Sequence, residues 1–253
     1  MGIEQLTEQA RQLDDSQIQL LCEMAESLRR PCDVWVNHES DLVSNRFSDA
    51  MLNRLKLHHA TSEEKFKKAS FEYAFVSAAR YAGFSSYKTR SQTFQGADVV
   101  MDSVRWSLKT EASANIHESN ITVSKFSEAR WIRDCLTPED FAKECIPRFL
   151  KHLGEYDRVI TLRAFDAPGD RVRYHLVEIP KGLLALVGRL KPDDFSVKTK
   201  SGGSSALVCD SSGVAFRVVL DGSVEKVTLA RISVDRCIRH AIWTVPTIPD
   251  SSQ

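Results

Sequence analysis

Between Gly96 and Ala112 the chain reads GADVVMDSVRWSLKTEA, and apolar and polar positions alternate on both sides of Asp102-Ser103. A period of two marks a strand, and two such runs around a two-residue break predict a tight hairpin. With the turn at Asp102 and Ser103, Met101 faces Val104, Val99 faces Trp106 and Ala97 faces Leu108, which makes one apolar side for the core. The other side then carries Asp98 opposite Ser107, with Lys109 one diagonal step away and Glu111 two residues farther on. Diagonal neighbours stand roughly 7–8 Å apart between backbones, so a carboxylate and an ammonium can converge on one phosphate or cation. A slip of one residue would send Asp98 and Lys109 to opposite faces.

Upstream, residues 4–29 have helix-forming composition, with Leu13, Ile18, Leu20, Leu21 and Met24 as apolar points before Pro31. Such a leading helix packs on the body or on a second copy of the chain. Residues 33–52 read as irregular and polar, with Asp33 to Val36 as an edge strand. The run RLKLHH places His58 and His59 on a loop or helix surface, with DNA contact or a metal role as the smaller share. Thr61 and Glu64 have capping-box spacing, which predicts a helix through Phe66, Tyr73 and Val76 that stops at Gly83. Glu72 lies among the aromatics of that helix and must find a partner or project toward something polar. Tyr87 to Thr93 is then an extended run leading to Gly96, where the missing side chain suits close approach of a ligand.

Downstream, Asn120 to Phe126 predicts a third strand with Ile121 and Val123 inward. Thr137-Pro138 starts a helix that buries Phe141, Cys145 and Phe149 and stops at Gly154. Strands at 157–165 and 171–179 flank a Pro-Gly turn, and a Gly-, Ser- and Lys-rich loop runs from Lys191 to Ser205. Strands at 206–210, 214–220 and 224–231 form an antiparallel meander, and a last strand lies around 237–245. Helices and strands alternate first and strands run together later, so the fold class is α/β or mixed α+β, built on a central mixed sheet.

The 253 residues, 42% hydrophobic, suffice for one large domain. No run approaches the ~18 apolar residues of a membrane span, and the N-terminus lacks the pattern of a secretion signal, so a cytoplasmic protein is expected. Cys22, Cys32, Cys135, Cys145, Cys209 and Cys237 show no paired spacing, which argues for reduced thiols. No nucleotide-binding glycine loop is present, and no organic cofactor is expected. Lys plus Arg equals Asp plus Glu at 34 each, so positive charge for nucleic acid has to be local. Lys65-Lys67-Lys68 and Arg148-Lys151 are candidate patches, although each is more often a solvated face.

An aspartate on one strand and a lysine on the next suit metal-dependent phosphodiester cleavage. Asp98, helped by a backbone carbonyl such as that of Leu108, would hold a hard cation, and Lys109 would hold or polarise the attacking water. Spacing alone favours an ordinary solvated hairpin face. The stretch, however, resembles the active-site hairpin of the PD-(D/E)xK nucleases, with Ala97-Asp98 in the PD position and Ser107-Leu108-Lys109 in the (D/E)xK position. Together with FEYAF at 71–75, RLKLHH at 54–59, ITVSKF at 121–126, VITLRAF at 159–165 and HLVEIPKGLL at 175–184, it is similar to type II restriction endonucleases from about Asn53 to Trp243. Two positions depart from the pattern: Ala97 replaces the proline, and Ser107 replaces the second acid.

The resemblance implies a five-stranded mixed sheet flanked by helices, with the hairpin at its centre and the C-terminal meander as an addition. The whole forms one endonuclease domain, with an N-terminal segment 1–52, a catalytic core 53–190 and a meander and tail 191–253. It implies Mg²⁺-dependent, blunt cutting of double-stranded DNA at a short GC-rich palindrome, CCCGGG being the candidate, by a homodimer. Glu111 is the first substitute for the missing acid, by strand parity, and Glu72 the second. Arg90, Gln92, Ser124 and Lys125 are candidate base readers. A related repair or defence nuclease or nickase, and an inactive DNA-binding protein lacking the second acid, remain as alternatives.

Overall fold

Asp102 and Ser103 do form the turn, both left-handed at φ +45° and +69°, as a two-residue hairpin with the twist of its strands requires. The Asp102 side chain accepts the Ser85 N–H at 2.8 Å, which ties the turn to the neighbouring strand. Around it, the computed structural model describes residues 2–89 and 96–247. The described helices are α1 (Ile3–Ala10), α2 (Asp15–Arg29), α3 (Asn45–His59), α4 (Lys68–Ala82), α5 (Pro138–Leu153) and α6 (Lys181–Leu184). The strands are β1 (Asp33–Val36), β2 (Ser86–Lys88), β3 (Val99–Met101), β4 (Val104–Glu111), β5 (Asn120–Glu128) and β6 (Arg158–Ala167). They continue as β7 (Arg171–Ile179), β8 (Ser204–Asp210), β9 (Gly213–Asp221), β10 (Lys226–Ser233) and β11 (Ile238–Pro246).

The mixed α+β architecture is the expected one, but its sheet is larger and differently shared. Seven strands run in the order β1-β11-β7-β6-β4-β3-β2, and four more in the order β5-β10-β9-β8. The pairing of β4 with β6 is parallel, and the other pairings in the large sheet are antiparallel. The hairpin β3–β4 therefore lies toward one edge rather than at the centre. The third strand, β5, joins the meander instead of the large sheet, and β11 leaves the meander to insert between β1 and β7.

Two apolar cores follow from this arrangement, one on each face of the large sheet. On one face, Phe47, Met51 and Leu55 of α3 and Phe71 and Phe75 of α4 pack with Val99, Trp106, Leu108, Ile160 and Trp243. On the other, Phe141, Cys145 and Phe149 of α5 join Ile121, Val218 and Leu229 of the small sheet and Val159 and Val177 of the large one. Fully burying a side chain of this kind stabilises the fold by roughly 1.5–3 kcal/mol. The alternation of Val159 and Ile160 between the two cores explains why β6 is buried along most of its length.

Several local expectations are corrected. The leading helix is two helices, because Asp14 caps α2: its side chain accepts the Gln17 N–H at 2.9 Å, and Gln17 accepts the Asp14 N–H at 3.0 Å. Neither helix buries an apolar residue, and Ile3, Leu6 and Leu20 are exposed. Residues 45–52 are helical, not irregular, and the helix runs on through His59, with Ser44 as cap. Thr61 does not open α4, which begins at Lys68 without a side-chain cap. The chain between runs free of helix so that the Phe66 N–H can reach the Tyr174 hydroxyl, 3.1 Å away. Gly83 at φ +104° ends α4, and the Thr137 cap with Pro138 at the first turn starts α5, both as expected.

Candidate active site

The hairpin register holds up to Val99 and then shifts. Val99 pairs with Trp106, yet the Asp98 N–H also donates to the Trp106 carbonyl, at 2.8 Å. Two residues thus face one, as in a bulge, and Asp98 is the extra residue. Ala97 consequently turns into the core beneath the small sheet rather than facing Leu108 on the Trp106 side. The bulge sets the Asp98 carboxylate against the next strand, where its Oδ2 accepts the Leu108 N–H at 2.7 Å. In a strand the N–H and C=O of one residue point the same way, so the Leu108 carbonyl opens toward this edge too.

Asp98 and Lys109 line one cleft of about 1170 Å³, and Glu72 lines it with them. Glu72 comes from α4, whose buried face packs Phe71 and Phe75 on the sheet and so holds the carboxylate at the cleft wall. It is 7% exposed, not a surface helical acid. Two ammonium groups face the carboxylates: Lys68 Nζ is 2.7 Å from Asp98 and 3.7 Å from Glu72, and Lys88 Nζ is 2.6 Å from Glu72. Lys109 stands apart, with no hydrogen bond or ion pair among the described residues. Burial, with the nearby Lys68 charge, lowers its pKa to about 8 against the opposing pull of Asp98 and Glu72.

On the far wall His152 and Glu155 were not foreseen, whereas Lys125 and the Arg148-Lys151 patch were. His152 from α5 bonds Glu155 through Nδ1 at 2.8 Å and the Phe126 carbonyl through Nε2 at 3.0 Å, and burial lowers its pKa. Gly96, at φ +100°, packs closely on Glu155, where a Cβ would lie 2.5 Å from the Glu155 Cβ, and it lines the same cleft. Lys125, Arg148 and Lys151 complete this side. Six basic side chains against four carboxylates line the cleft, so a chain of zero net charge carries its positive patch here.

Glu111 keeps the expected strand face but not the expected place. It lines a second cavity, and its oxygens accept Arg163 Nε at 2.6 Å and the Thr122 N–H at 2.9 Å. Arg163 is fully buried and also donates to the carbonyls of His117, Glu118 and Asn120. Ser107 is likewise excluded from solvent, its hydroxyl without a partner among the described residues, so an acid at that position would be desolvated. Of the candidate base readers, Lys125 lines the cleft while Ser124 is exposed outside its lining, its carbonyl held by Thr228 at 2.8 Å. Arg90 and Gln92 lie outside the described residues.

The histidine pair is structural in its setting. His59 is fully buried, bonded to the Ser62 carbonyl at 2.9 Å and the Tyr174 hydroxyl at 2.8 Å, so it presents nothing to DNA. Desolvation lowers its pKa to about 4. His58 stacks edge-on to Phe66 and bonds the Glu64 carbonyl at 2.6 Å. The pair fixes the segment between α3 and α4.

The chain is 34% identical over 209 residues to the type II restriction enzyme SmaI of Serratia marcescens, covering 80% of this chain and 81% of that enzyme. No solved structure gives a significant match. Residues 6–245 match the family model SmaI, described as a type II site-specific deoxyribonuclease, which takes in both sheets and every residue of the cleft. The chain belongs to the SmaI family of type II site-specific deoxyribonucleases.

Proposed function

We propose that the protein hydrolyses phosphodiester bonds in both strands of a short palindromic DNA site, with Mg²⁺ as cofactor and Asp98, Glu72 and Lys109 as its centre. The observation that carries this reading is the convergence of two carboxylates and one unpaired lysine on a single positively charged cleft. The donor set suits a small hard cation, since the Lys68 ammonium already lies against both Asp98 and Glu72. Mg²⁺ is commonly held by one or two carboxylates with several waters retained, so no third acid is demanded. Asp98, Glu72 and the Leu108 carbonyl would hold it, and when bound it would polarise the phosphate and acidify water.

The chain's own side chains supply the rest. Lys125, Arg148 and Lys151 bind the DNA backbone along the far wall of the cleft. Lys109 orients the attacking water, and with a pKa of about 8 its amine is free often enough near neutrality to take the water proton. The water oxygen bonds to phosphorus as the bond to the departing sugar oxygen breaks, and that oxygen leaves as a hydroxyl, taking its proton from a solvent water. A two-fold site cut on both strands calls for two such centres, hence a homodimer. The exposed Ile3, Leu6 and Leu20 of α1 and α2 offer apolar surface for the second copy. Similarity to SmaI supports CCCGGG as the site.

Lys109→Ala tests the centre. It should bind duplex DNA as the wild type does while losing cleavage of a supercoiled plasmid by about 10²-fold or more. Normal cleavage by this variant would refute the assignment, and wild-type products confined to nicked circles would refute double-strand cutting. Sequencing the ends of a digested phage genome reads the site and the cut.

A further inference from the structure

The second cavity, about 560 Å³, opens at the end of β4, with Glu111, Asn115, Asn120, Thr122 and Arg231 around it. Glu111 is two residues beyond Lys109 on the same strand, a step of roughly 7 Å. The cavity therefore continues the line of the cleft along the strand that carries Lys109. Arg231 enters it by an irregularity in the sheet. Leu229 pairs with Val123 and Ile232 with Ile121, so Ala230 and Arg231 together oppose Thr122. Such a bulge re-aims a side chain that a regular ladder would point elsewhere.

Arg231 is also held at φ +58°. A bulky L residue adopts this left-handed conformation only at an energetic cost, and such strain gathers at functional positions. Among the described residues the other non-glycine positions with positive φ are Asp102, Ser103, Asp170 and Glu225, each in a turn joining two strands. Arg231 differs in lying inside a paired strand. Its guanidinium is exposed and has no hydrogen bond or ion pair among the described residues. Glu111 does not neutralise it, because both carboxylate oxygens are taken by Arg163 and Thr122.

We infer that Arg231 is a specificity-determining residue that reads a guanine of the DNA site, donating to O6 and N7 from the rim of this cavity. The inference rests on the Asp98–Lys109 reading above, which puts the cut phosphate in the adjoining cleft. Base pairs stack about 3.4 Å apart along the axis, so a base two pairs from the cut lies about one such strand step away. The fork of an arginine matches the paired acceptors of guanine, and a fixed, strained backbone is the way to aim a fork rather than a charge.

The test uses Arg231→Gly and Arg231→Lys, each combined with Lys109→Ala so that DNA stays intact. Binding is followed by fluorescence anisotropy with three labelled duplexes: the site that the wild type cuts, the same site with 7-deazaguanine at each guanine in turn, and a scrambled site. Arg231→Gly suits φ +58° and should keep its Tm. Both variants should lose at least tenfold in preference for the site over the scrambled duplex. One 7-deazaguanine position should weaken the parent and leave both variants unaffected. Undiminished preference in Arg231→Gly, or equal 7-deazaguanine sensitivity in parent and variants, would overturn the inference. Full preference in Arg231→Lys would overturn it too, reducing Arg231 to a phosphate contact. If the Lys109→Ala parent still cuts, the reading of the centre fails, and the comparison is made on cleavage rates instead.

Discussion

Replacing Glu111 by alanine removes the carboxylate to which the fully buried Arg163 donates at 2.6 Å. Breaking one side of a buried pair ordinarily costs about 3–5 kcal/mol. Here the carbonyls of His117, Glu118 and Asn120 still receive the guanidinium, which pulls the cost toward the lower end. The Thr122 N–H loses its acceptor as well, so a loss of about 3 kcal/mol is expected, a fall in Tm of roughly 6–12 °C. Glu72→Gln should behave in the opposite way. Its partners Lys68 and Lys88 are 45% and 36% exposed, so water takes over and the stability change stays under about 1 kcal/mol. Cleavage, however, should drop by about 10²-fold or more with the loss of one of the two carboxylates of the proposed centre. Thermal unfolding by circular dichroism and plasmid cleavage per folded molecule, on both variants, decide the matter. Glu111→Ala with wild-type Tm and no cleavage, beside a fully active Glu72→Gln, would reverse the roles assigned to the two acids.

Acid should weaken the fold through His59 in a defined window. Its folded pKa of about 4 lies below the ordinary 6.5, so the unfolded chain takes up the proton first and stability falls from pH 6.5 down to about 4, by about 3 kcal/mol. His175, lowered to about 3 by burial and by Arg239, Arg173 and Arg163, acts in the same direction. Urea midpoints measured across this range should drop, and those of a Tyr174→Phe, His59→Gln double variant should drop less. In the hairpin turn, Ser103→Gly relieves a left-handed residue at φ +69° and should raise the Tm by roughly 1–4 °C without altering cleavage. A lower Tm would mean that the turn depends on the serine itself.

The parts of the site set by local alternation were legible in the sequence. The turn at Asp102-Ser103 and the pairing of Val99 with Trp106 follow from period-two patterning. The bulge at Asp98 left no such mark, since an extra residue changes the pairing without changing composition. Parity likewise put Glu111 on the face of Lys109, but a strand face says nothing of depth. The 117–120 segment covers the far end of β4, and Arg163 claims the acid there. Glu72 was visible as a carboxylate among aromatics, a costly position that the two lysines explain. Phe47, Met51 and Leu55 stand four residues apart, a helical signal for α3 that the polar residues between them masked. His152 and Glu155 offered nothing in sequence, because the end of α5 and the residues just past it bring them in from the opposite wall.

The position of β11 bears on how the enzyme is made. It is the latest strand in chain order among those described, yet it sits inside the large sheet, where β1 has it as neighbour and Trp243 is fully buried. A ribosome adding 5–20 residues per second leaves β1 waiting roughly 10–40 s before this partner emerges. Nascent fragments that stop short of β11 therefore carry an unfinished scaffold beneath the hairpin. For a site-specific deoxyribonuclease the consequence is that a chain still lacking β11 also lacks Trp243 from the core that backs Trp106 and Leu108 of the hairpin.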